Sequence, residues 1–573
     1  MKAISNERRR VVLLFAIFCL WVLFIGASLV KVQVLDYSKN VLKVQAQSSR
    51  TIPLLPKRGT IYDCNGEILA ISVKTQSVYL ENKLNEESQE IFNTITKGNI
   101  LSLTDNEKKS ISQRISRGEK FIWVKRKLSD EEYEALNKIK ESFKGQSSLE
   151  FLEEYKRVYP QKSLASHILG GVGIDEQGLC GLEYSVDSII KGKEGKMKVE
   201  QDARQKAFDI QYIGEHVEGK DVYLTIDSSV QFFVEKELKN TIEKHNAKGG
   251  TVIVMDSRDG AILAMASYPD FSPDEVQNSA SKITRNKAIS LIYHPGSTFK
   301  IITVSTALET NVCYPQQIFD CENGSFQVTR ELSIKDDHPH SQLTLEDIIV
   351  NSSNIGAAKI GAKLGEATLD KWIRQFGFGE KVDLHLPEEE SGIYNQRKKW
   401  SGISVYYLAH GYEIGVTPIQ MIRAYNIIAS GGYIVHPYVI KEIQGETLPS
   451  PLDEKKKILS VGTVQRMTAI MMQVVERGTG KNAKIEGIPI AAKTGTSKRI
   501  ARNKDNPRAY ISSFGGFFPA NNPRITMFVV VEEPQGQYYG GDVAAPLFKT
   551  IAEKLMIYLG IFPELENKND TRL

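Results

Sequence analysis

Residues 11–30 carry no charged side chain, and no other feature constrains the chain as strongly. Twenty helical residues rise about 30 Å, the thickness of a hydrocarbon core, so the segment is predicted to cross a membrane once. Arg8, Arg9 and Arg10 stand just before it. Basic flanks stay on the cytoplasmic side, which predicts residues 1–10 inside and the chain from Lys31 onward outside. Gly26, Ala27 and Ser28 would also suit a signal-peptidase cut. The run is longer than the about 7–15 apolar residues of a signal core, however, and an uncleaved anchor is the reading adopted.

A chain of 573 residues is predicted to form several domains with a large core. Basic residues number 73 and acidic residues 69, a net charge of +4, so no electrostatic footprint for nucleic acid is present and that class of partner is set aside. The cysteines, Cys19, Cys64, Cys180, Cys313 and Cys321, are sparse and show no metal-ligand spacing with histidine, so no metal is expected. Cys313 and Cys321 read equally as a pair closing a short loop or as two small core residues.

Between residues 31 and 220 short apolar runs alternate with charged stretches, such as residues 86–97 and 129–144, that have the look of surface helices. From Asp221 the apolar runs thicken, beginning with the β-branched and aromatic strand pattern Val222-Tyr223-Leu224-Thr225-Ile226. A domain boundary is placed there, giving a cytoplasmic stub at 1–10, a transmembrane helix at 11–30, a first extracytoplasmic domain at 31–220, a second at 221–566 and a polar tail at 567–573. In the second domain, 251–255 and 261–265 are predicted to pair across the turn residues 256–260. Residues 525–531 read as a buried strand and 545–559 as a helix. The fold class is therefore α+β, an antiparallel sheet flanked by helices.

Three short stretches carry the chemistry, in this order: Ser297-Thr298-Phe299-Lys300, Ser352-Ser353-Asn354 and Lys493-Thr494-Gly495-Thr496. Pro295 and Gly296 break the chain before Ser297, and Ile301, Ile302, Val304, Ala307 and Leu308 have the spacing of a buried helix, so Ser297 is predicted to open that helix. Lys300 lies one turn on, on the same face, where its amine can approach the hydroxyl. A serine hydroxyl needs a base at neutral pH, and a desolvated lysine with a lowered pKa can serve. Ser352 and Asn354 fall in a turn between two helical runs, placed to relay a proton to a leaving amine and to donate to a substrate carbonyl. Lys493 to Thr496 follow an apolar run and read as an innermost strand facing the cleft. There Gly495 permits close approach of a substrate backbone, and Lys493, Thr494 and Thr496 offer charge and hydroxyls to a carboxylate. The backbone N–H groups of Ser297 and Thr496 suit an oxyanion hole. Any one stretch would pass as a helix start, a helix cap or a turn with a solvated lysine. Together and in order they indicate a serine acyl-transfer site.

With these motifs the chain resembles the penicillin-binding transpeptidases, specifically the class B high-molecular-weight branch. Arg58-Gly59-Thr60-Ile61-Tyr62-Asp63 is similar to the signature that opens the non-catalytic pedestal (dimerisation-type) domain of that class, and Gly181-Leu182-Glu183-Tyr184 to a second pedestal motif. Tyr293-His294-Pro295-Gly296 and Val416-Thr417-Pro418-Ile419-Gln420 are likewise similar to its transpeptidase domain. The resemblance implies a single membrane helix, a mixed α/β pedestal and a serine β-lactamase-like domain that cross-links peptidoglycan stem peptides through a Ser297 acyl-enzyme. Lys300 would be the base, Ser352 and Asn354 would handle protons and the substrate amide, and Lys493, Thr494 and Thr496 would hold the terminal carboxylate. It implies no cofactor, acylation by β-lactam inhibitors, and partners in a polytopic peptidoglycan glycosyltransferase and other divisome proteins. It also implies residence in the bacterial inner membrane with the catalytic domain outside.

Length, pedestal size and the lack of a long insertion between the second and third motifs resemble the septal, FtsI-type enzyme. An elongation-specific transpeptidase and a largely non-catalytic division scaffold are the alternatives. Two departures stand out. Cys64 occupies a usual arginine position, and Ala409-His410-Gly411-Tyr412-Glu413 departs from a glycine-tyrosine-glycine run. The basic residues Lys498, Arg499, Arg502 and Lys504 beside the third motif read as a solvated loop or as a contact for acidic stem-peptide groups.

Overall fold

The structure, a computed structural model, describes residues 2–39, 49–82, 85–143, 148–201, 207–278, 281–330, 332–446, 455–499 and 509–562. The expected polar tail, and Arg502 and Lys504 of the basic loop, lie outside these residues.

The chain divides into two compact units. One comprises Met1–Lys57 and Gly192–Gly219. It opens with the helix Lys2–Val30, and Arg10–Leu35 is long and apolar enough to cross a membrane. The unit also holds an antiparallel sheet in which Gly195–Gln201 lies between Ser49–Leu54 and Ala207–Ile213.

The other unit comprises Arg58–Lys191 and Lys220–Leu573. Its first part is built on the long strand Ile68–Glu81, paired with Leu149–Val158 along ten residues and with Phe121–Lys125 near its end. The charged stretches singled out in the sequence are the amphipathic helices Asn85–Lys97 and Asp130–Ser142. Ser129 and Glu132 cap the second reciprocally, as Thr104 and Glu107 cap the intervening helix Asp105–Ser116. Their apolar faces bury Ile91, Ile95, Ile111 and Leu136 against Val78 and Leu80 of the strand. Beneath lies a buried charge network. Glu183 accepts from Arg58 Nε and Arg157 Nε at 2.7 Å each, and all three side chains are nearly inaccessible. The signature arginine and the glutamate of the second pedestal motif are thus one contact, and ionic groups this deep persist only when paired.

The second part is an antiparallel sheet of β1 (Gly249–Asp256), β2 (Ile262–Tyr268), β3 (Ala491–Lys498), β4 (Tyr510–Phe518) and β5 (Ile525–Glu532), in the order β2-β1-β5-β4-β3. Every residue of β5 is buried, and its side chains alternate between two cores. Met527, Val529 and Val531 face α1 (Ser228–Lys244) and the C-terminal helix Gly540–Leu559. Phe528 and Val530 face the core that contains α2 (Lys300–Glu309) and α3 (Pro418–Ala429). Thr417 and Gln420 form a capping box with Pro418 in the first turn of α3, which is the physical content of the Val416–Gln420 motif. From Lys300 to Leu308 α2 is buried on every side. A helix so enclosed is positioned by packing from all directions, which suits one that carries a reacting group.

Candidate active site

Ser297 lies in a tight 3₁₀ turn, Gly296–Phe299, that leads into α2, so the regular helix begins at Lys300. The turn is fixed from three sides. Thr298 Oγ1 donates to the Pro295 carbonyl at 2.7 Å, the Tyr425 hydroxyl donates to the Thr298 carbonyl at 3.1 Å, and Gly296 N donates to the Gly411 carbonyl at 3.1 Å. Gly411 adopts φ +85°, and a β-carbon there would stand 2.2 Å from the Gly296 carbonyl oxygen. The sequence departure around His410 therefore surrounds a glycine that the Ser297 turn requires.

Lys300 is fully buried. Its Nζ donates to the Ser352 carbonyl at 2.5 Å and to Asn354 Oδ1 at 2.8 Å, with Ser352 Oγ at 3.4 Å. Burial draws its pKa down to about 7, against the pull of the Asp336 and Asp337 carboxylates. Lys493, also fully buried, donates to Ser352 Oγ at 2.9 Å and to the Thr494 carbonyl at 3.1 Å. Its pKa is pushed well down, first by burial and then by Lys300. One hydroxyl thus stands between two lysine amines whose charged forms disfavour each other.

Ser352 takes φ +61°, a left-handed conformation costly for serine and held in place by the capped helix that begins two residues later. That helix, Asn354–Gln375, is capped by Ser353, whose Oγ accepts from Gly356 N at 2.9 Å. Asp336 braces the same turn, its carboxylate accepting from Ser353 Oγ at 2.6 Å, Asn354 N at 2.5 Å and Ile355 N at 3.0 Å. Asn354 Nδ2 donates to the Lys335 carbonyl at 3.0 Å.

The third motif lies on β3. The sequence places this strand innermost, whereas among the described residues it is an edge strand paired only with β4. An edge leaves a row of backbone donors and acceptors for an extended peptide. Gly495 lies against the Ser297 turn, where a β-carbon would meet Ser513 Oγ at 2.4 Å and Thr298 Cγ2 at 2.7 Å. Thr494 Oγ1 is 2.6 Å from Thr479 Oγ1, and Thr496 Oγ1 accepts from Gly540 N at 3.0 Å. A cleft of about 400 Å³ is lined by Ser297, Ser352, Asn354, Thr494 and Thr496, with Tyr412, Tyr510, Tyr538 and Tyr539 on its walls. Lys300 and Lys493 touch the cleft's lining through Ser352, Asn354 and Thr494. Cys313 and Cys321 are free buried thiols.

Residues 250–553 match the family model for the penicillin binding protein transpeptidase domain, and residues 53–224 match that for the penicillin-binding protein dimerisation domain. The chain is 32% identical to stage V sporulation protein D of Bacillus subtilis, covering 99% of this chain and 89% of the relative. The chain belongs to the penicillin-binding protein transpeptidases. It is also 28% identical to the peptidoglycan D,D-transpeptidase FtsI of Escherichia coli, covering 97% of this chain and 93% of the relative. The crystal structure of a peptidoglycan synthetase from Bifidobacterium adolescentis superposes with a TM-score of 0.71 at 23% identity over 90% of this chain and 98% of that one, which establishes the fold.

For a penicillin-binding protein the three motifs are legible in sequence, but their supports are not. Asp336 and Thr479 have no motif of their own and no local spacing announces them, while Gly411 falls in the stretch that departs from the family's run. His410 is buried, its Nδ1 donating to the Tyr406 carbonyl at 2.7 Å. Burial, then the charge of Lys300, holds its pKa down to about 3, so it sits beside the reacting groups as a neutral ring.

Proposed function

We propose that this chain is a peptidoglycan D,D-transpeptidase in which Ser297 is the nucleophile, Lys300 its base and Ser352 the proton relay. The observation that carries the assignment is the pair of buried amines joined through Ser352 Oγ, 3.4 Å from Lys300 and 2.9 Å from Lys493. A lysine held near pH 7 by burial is neutral often enough to take the Ser297 proton as the hydroxyl attacks the carbonyl between the two terminal D-alanines. The developing oxyanion is received by the backbone N–H groups of Ser297 and Thr496, on the turn and the edge strand that pack together at Gly495. The proton passes through Ser352 to the departing amine of the last D-alanine. Thr494 and Thr496 hold its carboxylate, and Asn354 orients the acyl amide. An amine of a second stem then attacks the ester, its proton returning along the same route, and Ser297 is regenerated as the cross-link forms. β-Lactams present the same carbonyl and acylate Ser297.

The apolar N-terminal helix and the FtsI-type relatives fit a single-pass inner-membrane protein. Three arginines on its N-terminal flank support a cytoplasmic N-terminus and an external catalytic domain. We place its work at the division septum, beside a polytopic glycosyltransferase. The 32% identity to stage V sporulation protein D favours a second reading, wall synthesis during sporulation. The acyl-enzyme is tested by labelling the full chain with a fluorescent penicillin, where Ser297→Ala should abolish a label that persists on the native chain. Rapid loss of label would indicate a hydrolase, and no label on native protein would sink the assignment. A fluorescent fusion followed through vegetative division and sporulation separates the two biological readings.

A further inference from the structure

Two adjacent carboxylates lie between the short strands Ser333–Lys335 and Gln342–Thr344, and they are used differently. Asp336 is saturated by Ser353, Asn354 and Ile355. Asp337 is exposed and lines the cleft that holds Ser297, and among the described residues it takes part in no hydrogen bond or ion pair. Its field nonetheless reaches three groups around that cleft, Lys300, Tyr412 and Tyr539. The same cleft is lined by a run of tyrosine rings, with Tyr510 and Tyr538 stacked at 4.3 Å and Tyr538 and Tyr539 at 4.6 Å. An unpaired carboxylate sharing a cleft with ring faces forms a receptor for an organic cation.

The position of Asp337 indicates which part of the substrate would bring that cation. Asn354, which orients the donor's acyl amide in the proposed mechanism, is tied to the Lys335 carbonyl at 3.0 Å and to Asp336 at 2.5 Å. The backbone bearing Asp337 is thereby fixed to the residue beside the donor peptide, not to the nucleophile's turn. Lys498 and Asp542 also line the cleft, but they belong to the edge strand and to the C-terminal helix.

Resting on the transpeptidase reading, we propose that Asp337 is a specificity-determining residue that receives the side-chain ammonium of the donor stem peptide. It selects donors with a free amine over donors in which that amine is acylated. The test uses the full chain in detergent and two synthetic peptides ending in D-alanyl-D-alanine, identical except that one has a free lysine side chain and the other its Nε-acetyl form. The ratio of their acylation rates at Ser297 is read by mass spectrometry. An exposed charge pair favours the free amine by about three- to fivefold at low salt, and the preference shrinks as salt is raised. Asp337→Asn should bring the ratio to one, and Asp337→Lys should invert it. A native ratio of one, or an equal preference in native chain and Asp337→Asn, overturns the proposal. Fluorescent-penicillin labelling of the same samples separates the two ideas. Labelled variants are folded and acylation-competent, so an unmoved ratio then counts against Asp337 alone, whereas an unlabelled native chain counts against the transpeptidase reading.

Discussion

Asp336→Asn is the most informative single change, because it removes one charge while nearly conserving volume. The carboxylate serves three donors at 2.6, 2.5 and 3.0 Å, and an amide keeps only one acceptor oxygen for them. Hydrogen bonds to a charged group contribute about 1.5–3 kcal/mol each. Part is regained by the remaining oxygen, and the Ser353 cap to Gly356 N survives, so a net loss of about 2 kcal/mol and a Tm lower by about 3 °C are expected. Catalysis should suffer more. Ser352 is held at φ +61° between two lysines by the turn that Asp336 braces, and a misplacement of about 1 Å can lower the rate about 100-fold. The pH dependence has a defined sign. With Lys300 as the proposed neutral base, acylation should rise with pH through its pKa, which burial lowers to about 7. Asp336 favours the ammonium form, so removing its charge lowers that pKa and moves the acid limb to lower pH. The assay is the second-order rate of fluorescent-penicillin acylation between pH 5.5 and 9. A variant with native rate and an unmoved limb, or with a limb displaced upward, would refute the reasoning.

Gly411→Ala should displace the nucleophile's turn, because its β-carbon would collide with the Gly296 carbonyl; acylation is expected to fall at least about tenfold, read by the same labelling assay. Two residues on, Glu413 occupies φ +57° without a glycine's freedom, so Glu413→Gly should raise stability by up to about 1 kcal/mol in thermal unfolding, with acylation retained. Glu183→Gln leaves Arg58 and Arg157 buried without their shared carboxylate, a loss of about 3–5 kcal/mol that limited proteolysis of the region before residue 191 would detect. His410→Asn should leave the acid limb near pH 7 in place, since His410 titrates at about 3; a limb that vanished with the histidine would reassign the base.

The parts legible in sequence share a physical character. The membrane helix was visible because burial in hydrocarbon demands an uninterrupted apolar run. The paired strands of β1 and β2 were visible because their turn residues and β-branched runs are local. Ser297 and Lys300 were visible because one helical turn separates them. Less legible were β3, whose apolar approach suggests an inner strand although its outer edge faces the cleft, and Asp336, whose partners lie 17 to 19 residues away with no periodic signal.

By itself the sequence determined the family and which groups are available to its reaction: a hydroxyl, two amines, an amide and a glycine-bearing strand, behind one apolar helix long enough to cross a membrane. Only the tertiary structure decided their working state. Both amines are fully buried, one on an enclosed helix and one on the edge strand, and they converge on Ser352 from 52 and 141 residues away. Their proton affinities arise from that enclosure, because the cost of holding a charge depends on what surrounds it and not on which residue carries it.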